Sequence, residues 1–226
     1  MKTKTLLLIC ILPAILCISA HARIIYVDDD ATGTNDGSSW QNAYTYLQDA
    51  LTDAQNSTKP VEIRVAQGIY KPDQGSGINH GNKEASFHLM NQVAIKGGYA
   101  GIIKINPNEQ NIELYQTILS GDLESNDIDV NDQKELIDEP TRSDNSRSVV
   151  NGSSTDQTAV LDGFTITAGC KRTLVIDVLD GGGGMYISFG NPAIKNCKFI
   201  GNATNYFGGG IFNIGHSNPV ITKIGI

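Results

Sequence analysis

Acidic side chains dominate the residues of this sequence that could do chemistry. Asn126-Asp127-Ile128-Asp129-Val130-Asn131-Asp132 alternates acids and amides with apolar residues. Oxygen ligands at every second position suit a hard cation such as Ca²⁺, so Asp127, Asp129, Asn131 and Asp132 are candidate ligands. The segment has no glycine after Asn131, and Asp138 stands where a calcium loop closes with Glu. It therefore reads first as an acidic surface loop and second as a Ca²⁺ site. Asp28-Asp29-Asp30 carries the same pair of readings, as a solvated strand end or a cation site. Asp122, Asp162 and Asp180 are the acids a glycosidase would draw on. Such a pair must stand roughly 5 to 10 Å apart, and nothing in their spacing brings them together, so they read as turn acids. Tyr186, Tyr206 and Phe207 could stack on sugar rings or pack between loops. His80, His88 and His216 have no neighbouring ligand pattern.

The elements that must position these residues follow from composition and period. The chain has 17 Lys and Arg against 24 Asp and Glu. Lys2 and Lys4, the apolar run 6–18 and Ser19-Ala20-His21-Ala22 have the form of a secretory signal peptide cleaved after Ala22. The run is too short to span a bilayer comfortably. Without residues 1–22 the net charge becomes −9, which argues against nucleic acid and other polyanions as partners. Asn56, Asn151 and Asn202 match the glycosylation sequon, which carries little meaning if the source is bacterial.

Residues 24–27 form a short apolar strand. Trp40, Ala43, Tyr44, Leu47, Leu51 and Ala54 then fall at helical spacing. Ser38 with Gln41 has the form of a capping box, which predicts a helix from about Ser39 to Gln55. Residues 23–58 read as an N-terminal cap. From Val61 the period becomes two, and strand-like stretches recur to the end of the chain. Residues 121–147 are long, polar and acidic, and predict an exposed loop.

Gly182-Gly183-Gly184 and Gly208-Gly209-Gly210 start 26 residues apart, and Asn191-Pro192 and Asn218-Pro219 lie 27 apart. A period of this length implies stacked structural repeats. Three segments share one pattern: Leu161, Phe164, Ile166; Ile194, Cys197, Phe199; Ile221, Ile224, Ile226. In each, two turn residues separate the first apolar residue from the second. Gly163 and Asn196, the second turn residues of the first two segments, accept φ > 0. Stacking predicts Phe164, Cys197 and Ile224 in one interior column and Ile166, Phe199 and Ile226 in another. Cys170 aligns with Ala203 rather than with Cys197, so no disulfide is expected. The fold class expected is all-β: a right-handed parallel β-helix of about 26–27-residue coils over 59–226, with one N-terminal capping helix.

The glycine triplets, together with Phe199-Ile200-Gly201-Asn202, resemble the GGA[ILV] and FxxN repeats of polymorphic outer-membrane proteins. More broadly, the chain resembles exported bacterial β-helix proteins of the pectin lyase-like superfamily. The resemblance rests also on IIYVDDDATGTNDGSSWQNAYTYLQDAL, GIYKP, VAIKGGYAG, TILSGDL and AVLDGFTITAG. It implies export and fold, and leaves activity open, because that superfamily holds lyases, hydrolases, adhesins and inactive members. A pectate lyase relative would need Ca²⁺-binding aspartates and a basic proton abstractor. Of Arg23, Arg64, Arg142, Arg147 and Arg172, only Arg64 falls on a strand face, and the paired Asp-Asp and Gly-His-Gly motifs of polygalacturonases do not appear. The expected function is a non-catalytic secreted or cell-surface scaffold that contacts polysaccharide or another surface component. The alternatives are a lyase or hydrolase of acidic glycans, and a fragment of a larger surface protein whose last coil, unfinished at Ile226, self-associates.

Overall fold

A computed structural model describes residues 21–130, 132–172 and 181–225. Almost all of the expected signal peptide, with Cys10 and Cys17, lies outside them, as do Asn131, Asp180 and Ile226. In chain order the elements are β1 (Arg23–Val27), α1 (Leu47–Asn56), β2 (Val61–Ala66), β3 (Gly68–Tyr70), β4 (Phe87–His88), β5 (Val93–Tyr99), β6 (Thr117–Ser120), β7 (Val150–Asn151), β8 (Val160–Asp162), β9 (Thr165–Thr167), β10 (Cys170–Lys171), β11 (Met185–Ser188), β12 (Ala193–Lys195), β13 (Lys198–Ile200), β14 (Ala203–Thr204), β15 (Ile211–Ile214) and β16 (Val220–Thr222).

The strands pair in parallel throughout. Three sheets run in the orders β1-β2-β5-β8-β12-β16, β3-β6-β9-β13 and β4-β7-β11-β15, with β10 and β14 forming a two-stranded fourth. From β2 onward the chain visits the three large sheets in rotation, so neighbours in space are distant in sequence. Each sheet sends an in-register column into a shared core. Ile25, Ile63, Ile95, Leu161, Ile194 and Ile221 are successive partners in the first. Tyr70, Leu119, Ile166 and Phe199 are partners in the second. Phe87, Val150, Met185 and Ile211 are partners in the third. All are buried except the last rung, where Ile211 is partly covered and Ile221 is 38% exposed. Period-two alternation makes these columns. In β2, Val61, Ile63 and Val65 turn inward while Glu62 and Arg64 turn out. Burying a Leu or Ile contributes about 1.5–3 kcal/mol, so each buried rung of the first column adds that much to the fold's apolar stabilisation.

The two-residue corner expected between first and second sheets is present. Gly163, Asn196 and Lys223 all have positive φ, at 83°, 48° and 51°. Lys223 adopts the corner conformation although its type does not favour it. Phe164 and Cys197 are buried as expected and Ile224 packs against the same core, while Ile166 pairs with Phe199. Cys170 pairs with Ala203, and both cysteines are free and buried.

The glycine triplets are explained by the turn they make. Gly182 and Gly208 have φ of 77° and 58°, and a Cβ on either would stand 2.4 or 2.3 Å from the carbonyl oxygen three residues on. Gly184 N–H donates to Gly209 O at 2.9 Å and Met185 N–H to Gly210 O at 2.8 Å. A Cβ on Gly183 would meet Ala203 O at 2.5 Å. Asn202 ties the rungs together. Its Oδ1 accepts from Gly169 N–H at 3.0 Å, and its Nδ2 donates to Ile166 O at 2.8 Å and Ile200 O at 3.3 Å.

Two expectations are corrected. The helix begins at Leu47, not near Ser39. The backbone before it is used elsewhere: Tyr44 N–H donates to Tyr26 O and Tyr44 O accepts from Asp28 N–H, extending β1, while Asn35 Oδ1 accepts from Thr45 N–H at 2.8 Å. Trp40 and Ala43 are buried, Trp40 against Tyr26 and Tyr99, without being helical. The inward face of α1, Leu47, Ala50, Leu51 and Ala54, packs on β1, β2 and β4. Asp53 holds the Arg23 guanidinium through both carboxylate oxygens at 2.7 Å.

The segment 121–147 is not simply an exposed loop. Leu123, Arg142, Asn145 and Ser146 are buried. Arg142 Nη1 pairs with Asp127 Oδ2 at 2.9 Å, and Nη2 donates to Gly201 O at 2.6 Å. Asn145 Nδ2 donates to Asp127 Oδ2 at 2.9 Å and to Ala168 O at 2.8 Å. Composition predicts exposure because it counts charges. It does not register that a charge can be buried once it is paired and hydrogen-bonded.

Candidate functional site

The 121–147 segment folds back against the second sheet and makes a groove there. One part, a cavity of about 510 Å³, has Lys134, Leu136 and Ile137 on one wall and Ile200, Asn202 and Thr204 on the other. The next part, of about 410 Å³, is lined by Asp122, Asp127, Asp129, Arg142 and Thr167. The two share Leu136, Ile200 and Gly201. Ile200 is 53% exposed because it stands on the outer side of β13 while Phe199 points inward. The groove thus offers apolar side chains to a flat CH surface, and hydroxyl, amide and charged groups at its edges. That mixture suits an elongated polyhydroxylated ligand.

The acids within it are largely committed. Asp122 accepts from Asn126 and Asp127 N–H, at 3.1 and 3.3 Å, as a turn acid does. Burial pushes the Asp127 carboxyl up from its ordinary value, and its hydrogen bond with Asn145 and the charge of Arg142 oppose that. Of the four candidate Ca²⁺ ligands, Asp127 faces a guanidinium, Asp129 is exposed, and Asp132 Oδ1 accepts from Lys134 N–H at 2.9 Å. The Arg142 charge already supplies at Asp127 what a cation would bring. Asp162 lies at the corner, accepting from Asn196 Nδ2 at 2.6 Å, apart from the groove.

Among the described residues, Asp28, Asp29 and Asp30 form the one acidic cluster whose carboxylates converge, with one oxygen from each within 4.8 Å of the others. Asp28 is buried and accepts from Ile102 N–H at 2.6 Å and Asp30 N–H at 3.1 Å. The Asp29 carboxyl is pushed up to about 6 by desolvation and by the Asp30 charge. The residue as a whole is exposed, but its carboxylate lies against the backbone at Gly68.

Arg64 lies on the outer face of the first sheet, paired with Glu62 at 2.7 Å and set over the Tyr99 ring at 5.5 Å. Lys96 shares Glu62 at 2.5 Å. His80 lies 3.8 Å from Asp73 Oδ2 through Nε2 and 3.6 Å from Glu124 Oε1 through Nδ1, so the two acids do not converge on one ring nitrogen. His88 Nε2 lies 3.2 Å from Ser86 Oγ, and His216 sits in a turn with φ 59°.

Of the three exposed aromatics expected, two belong to one platform. Phe212 stacks on Phe207 and tilts against Tyr186, each at 6.0 Å between centroids, and Lys171 Nζ lies 4.7 Å over Tyr186. Tyr206 makes no ring contact with it among the described residues. The period alone does not single out Phe212 as exposed, although the sequence carries a signal for it. It follows its glycine triplet at the position Tyr186 holds in the earlier repeat, and the two are register partners.

Compared with protein-family models, with curated proteins and with solved structures, the chain matches none. No described helix is long and apolar enough to cross a membrane.

Proposed function

We propose that this chain is an exported right-handed parallel β-helix, similar to the pectin lyase-like and polymorphic outer-membrane groups. In this reading it is a non-catalytic secreted or cell-surface scaffold that contacts glycans. The coil reading is supported by three parallel sheets visited in rotation with in-register apolar columns. The observation that carries the function is the groove of about 510 Å³, with Ile200 exposed between amide and hydroxyl groups. Of the groove's acids, Asp122 is spent on a turn and Asp127 on Arg142, while Lys134 and Thr204 line it beside Ile200. The Tyr186–Phe207–Phe212 platform gives a second surface for sugar rings.

Affinity electrophoresis against a panel of neutral and acidic polysaccharides tests this. At least one polymer should retard the wild-type protein, and Ile200→Asp should abolish the retardation without changing the circular dichroism. The competing reading, a lyase or hydrolase of acidic glycans, is favoured by Asp122 and Asp129 lining one cavity. Depolymerisation of polygalacturonate with Ca²⁺, lost on adding EDTA, would overturn the scaffold reading.

A further inference from the structure

Four cations converge in a chain whose overall balance is acidic. Lys83 precedes β4, Arg142 and Arg147 belong to the segment between β6 and β7, and Arg172 follows β10. All four line a single cavity of about 100 Å³ with Asn145 and Cys170. Part of their charge is used. Arg142 pairs with Asp127, and Arg147 Nε with Glu84 Oε1 at 2.9 Å. Among the described residues Lys83 Nζ donates to a carbonyl, Ser143 O at 3.1 Å, and Arg172 donates to the carbonyls of Ile137 and Glu139. Among the described residues that line the cavity, four carry positive charge and none carries negative charge. Nearby Glu139 and Asp144 are turned to the N–H groups of Thr141 and Glu124.

Like charges gathered round one cavity repel, and the cavity wall raises that repulsion by excluding water. A second observation points the same way. Arg142 is 5% exposed and acts on the neighbouring Cys170 thiol, and its Nε has no hydrogen-bond partner among the described residues. A buried, charged N–H left open is costly, and a bound oxyanion would satisfy it. The volume equals roughly three waters in the liquid, which fits one small oxyanion or one anionic substituent. The buried Asn145 Oδ1, also without a partner, can accept from a water or a protonated oxygen beside it.

We propose that Lys83, Arg142, Arg147 and Arg172 form an oxyanion-binding site for a sulfate-sized group, either a free oxyanion or the anionic substituent of a polymer. The site shares Arg142 with the second part of the groove, but sulfate reads it without any glycan ligand, so it can fail or stand apart from the glycan-contact reading. The test is the melting temperature of the purified protein in sodium sulfate and in sodium chloride at equal ionic strength. Sulfate should give a saturable rise beyond that in chloride. The double variant Lys83→Gln/Arg172→Gln changes two exposed side chains, and should weaken the apparent sulfate affinity at least tenfold. Glu84→Gln, which frees Arg147, should strengthen it two- to fivefold, an effect that damage to the fold would not produce. Sulfate also stabilises proteins generally, by exclusion from their surface. An equal rise in wild type and double variant, or none in either, would therefore overturn the site. Dextran sulfate that competes with inorganic sulfate, while uncharged dextran does not, assigns a polymer substituent. Sulfate binding without such competition assigns a free oxyanion.

Discussion

Replacing Asn202 by aspartate changes one amide for a group of nearly the same shape, and the hydrogen-bond geometry makes it a severe change. Oδ1 of Asn202 accepts from Gly169 N–H at 3.0 Å, and a carboxylate would keep that bond. Nδ2 donates to Ile166 O at 2.8 Å and to Ile200 O at 3.3 Å, and a carboxylate would set an oxygen against both carbonyls. Two donations are lost and two acceptors are left facing a negative charge, each worth about 1–3 kcal/mol. Allowing for partial exposure of the side chain, Asn202→Asp should cost about 3 kcal/mol at pH 7. Asn202→Ala loses all three bonds but introduces no repulsion, and should cost about 2 kcal/mol. For a domain of this size that is a fall in melting temperature of about 2–4 °C per kcal/mol. Urea unfolding of wild type and both variants, followed by circular dichroism, measures the difference. The aspartate variant should also regain stability relative to wild type in acid, because a protonated carboxyl can donate to Ile166 O. If Asn202→Asp lies within about 0.5 kcal/mol of wild type, Asn202 only fills space and the cross-rung role is wrong.

Three further outcomes are expected. Arg142→Met leaves the largely buried Asp127 carboxylate without its cation and should destabilise by about 3 kcal/mol, while Arg142→Met with Asp127→Leu should recover most of the loss in the same unfolding assay. Desolvation pushes the Cys197 thiol up to about 11 and raises that of Cys170, and both are buried, so a thiol reagent at pH 8 should leave both unlabelled until denaturant is added. For Asp29 the folded carboxyl stands at about 6 against an ordinary 3.8, so below 3.8 both states are protonated and nothing is lost, whereas stability falls as pH rises from 3.8 through about 6. Discounted for exposure, Asp29→Asn should therefore add about 1 kcal/mol at pH 8 and almost nothing at pH 3.5, as read by urea titrations at the two values.

What could be read from the sequence separates cleanly by range. The rung-to-rung register was legible, because each repeat repeats the demand of its neighbour. Leu161 and Ile194, Ile166 and Phe199, and Cys170 and Ala203 are partners as the alignment expects. Positive φ at Gly163 and Asn196 follows from the same alignment. Lys223 has it too, which indicates that stacking on the rung before can impose a corner on a residue that does not favour one. Helical spacing places the start of α1 too early because Trp40 and Ala43 fall at that spacing by serving a different surface, and only the pairing of Tyr44 with β1 reveals that. The groove and the basic cavity were out of reach for one shared reason. Both are made by the 121–147 segment, whose fold depends on single pairings between residues far apart, such as Arg142 with Gly201 and Asn145 with Ala168. No period marks such pairings. In this chain the repeating part builds the frame, and the candidate chemistry gathers where an unrepeated segment crosses it. Asp127 shows the difference: its spacing reads as a calcium ligand, while its position makes it the counter-ion of a buried arginine.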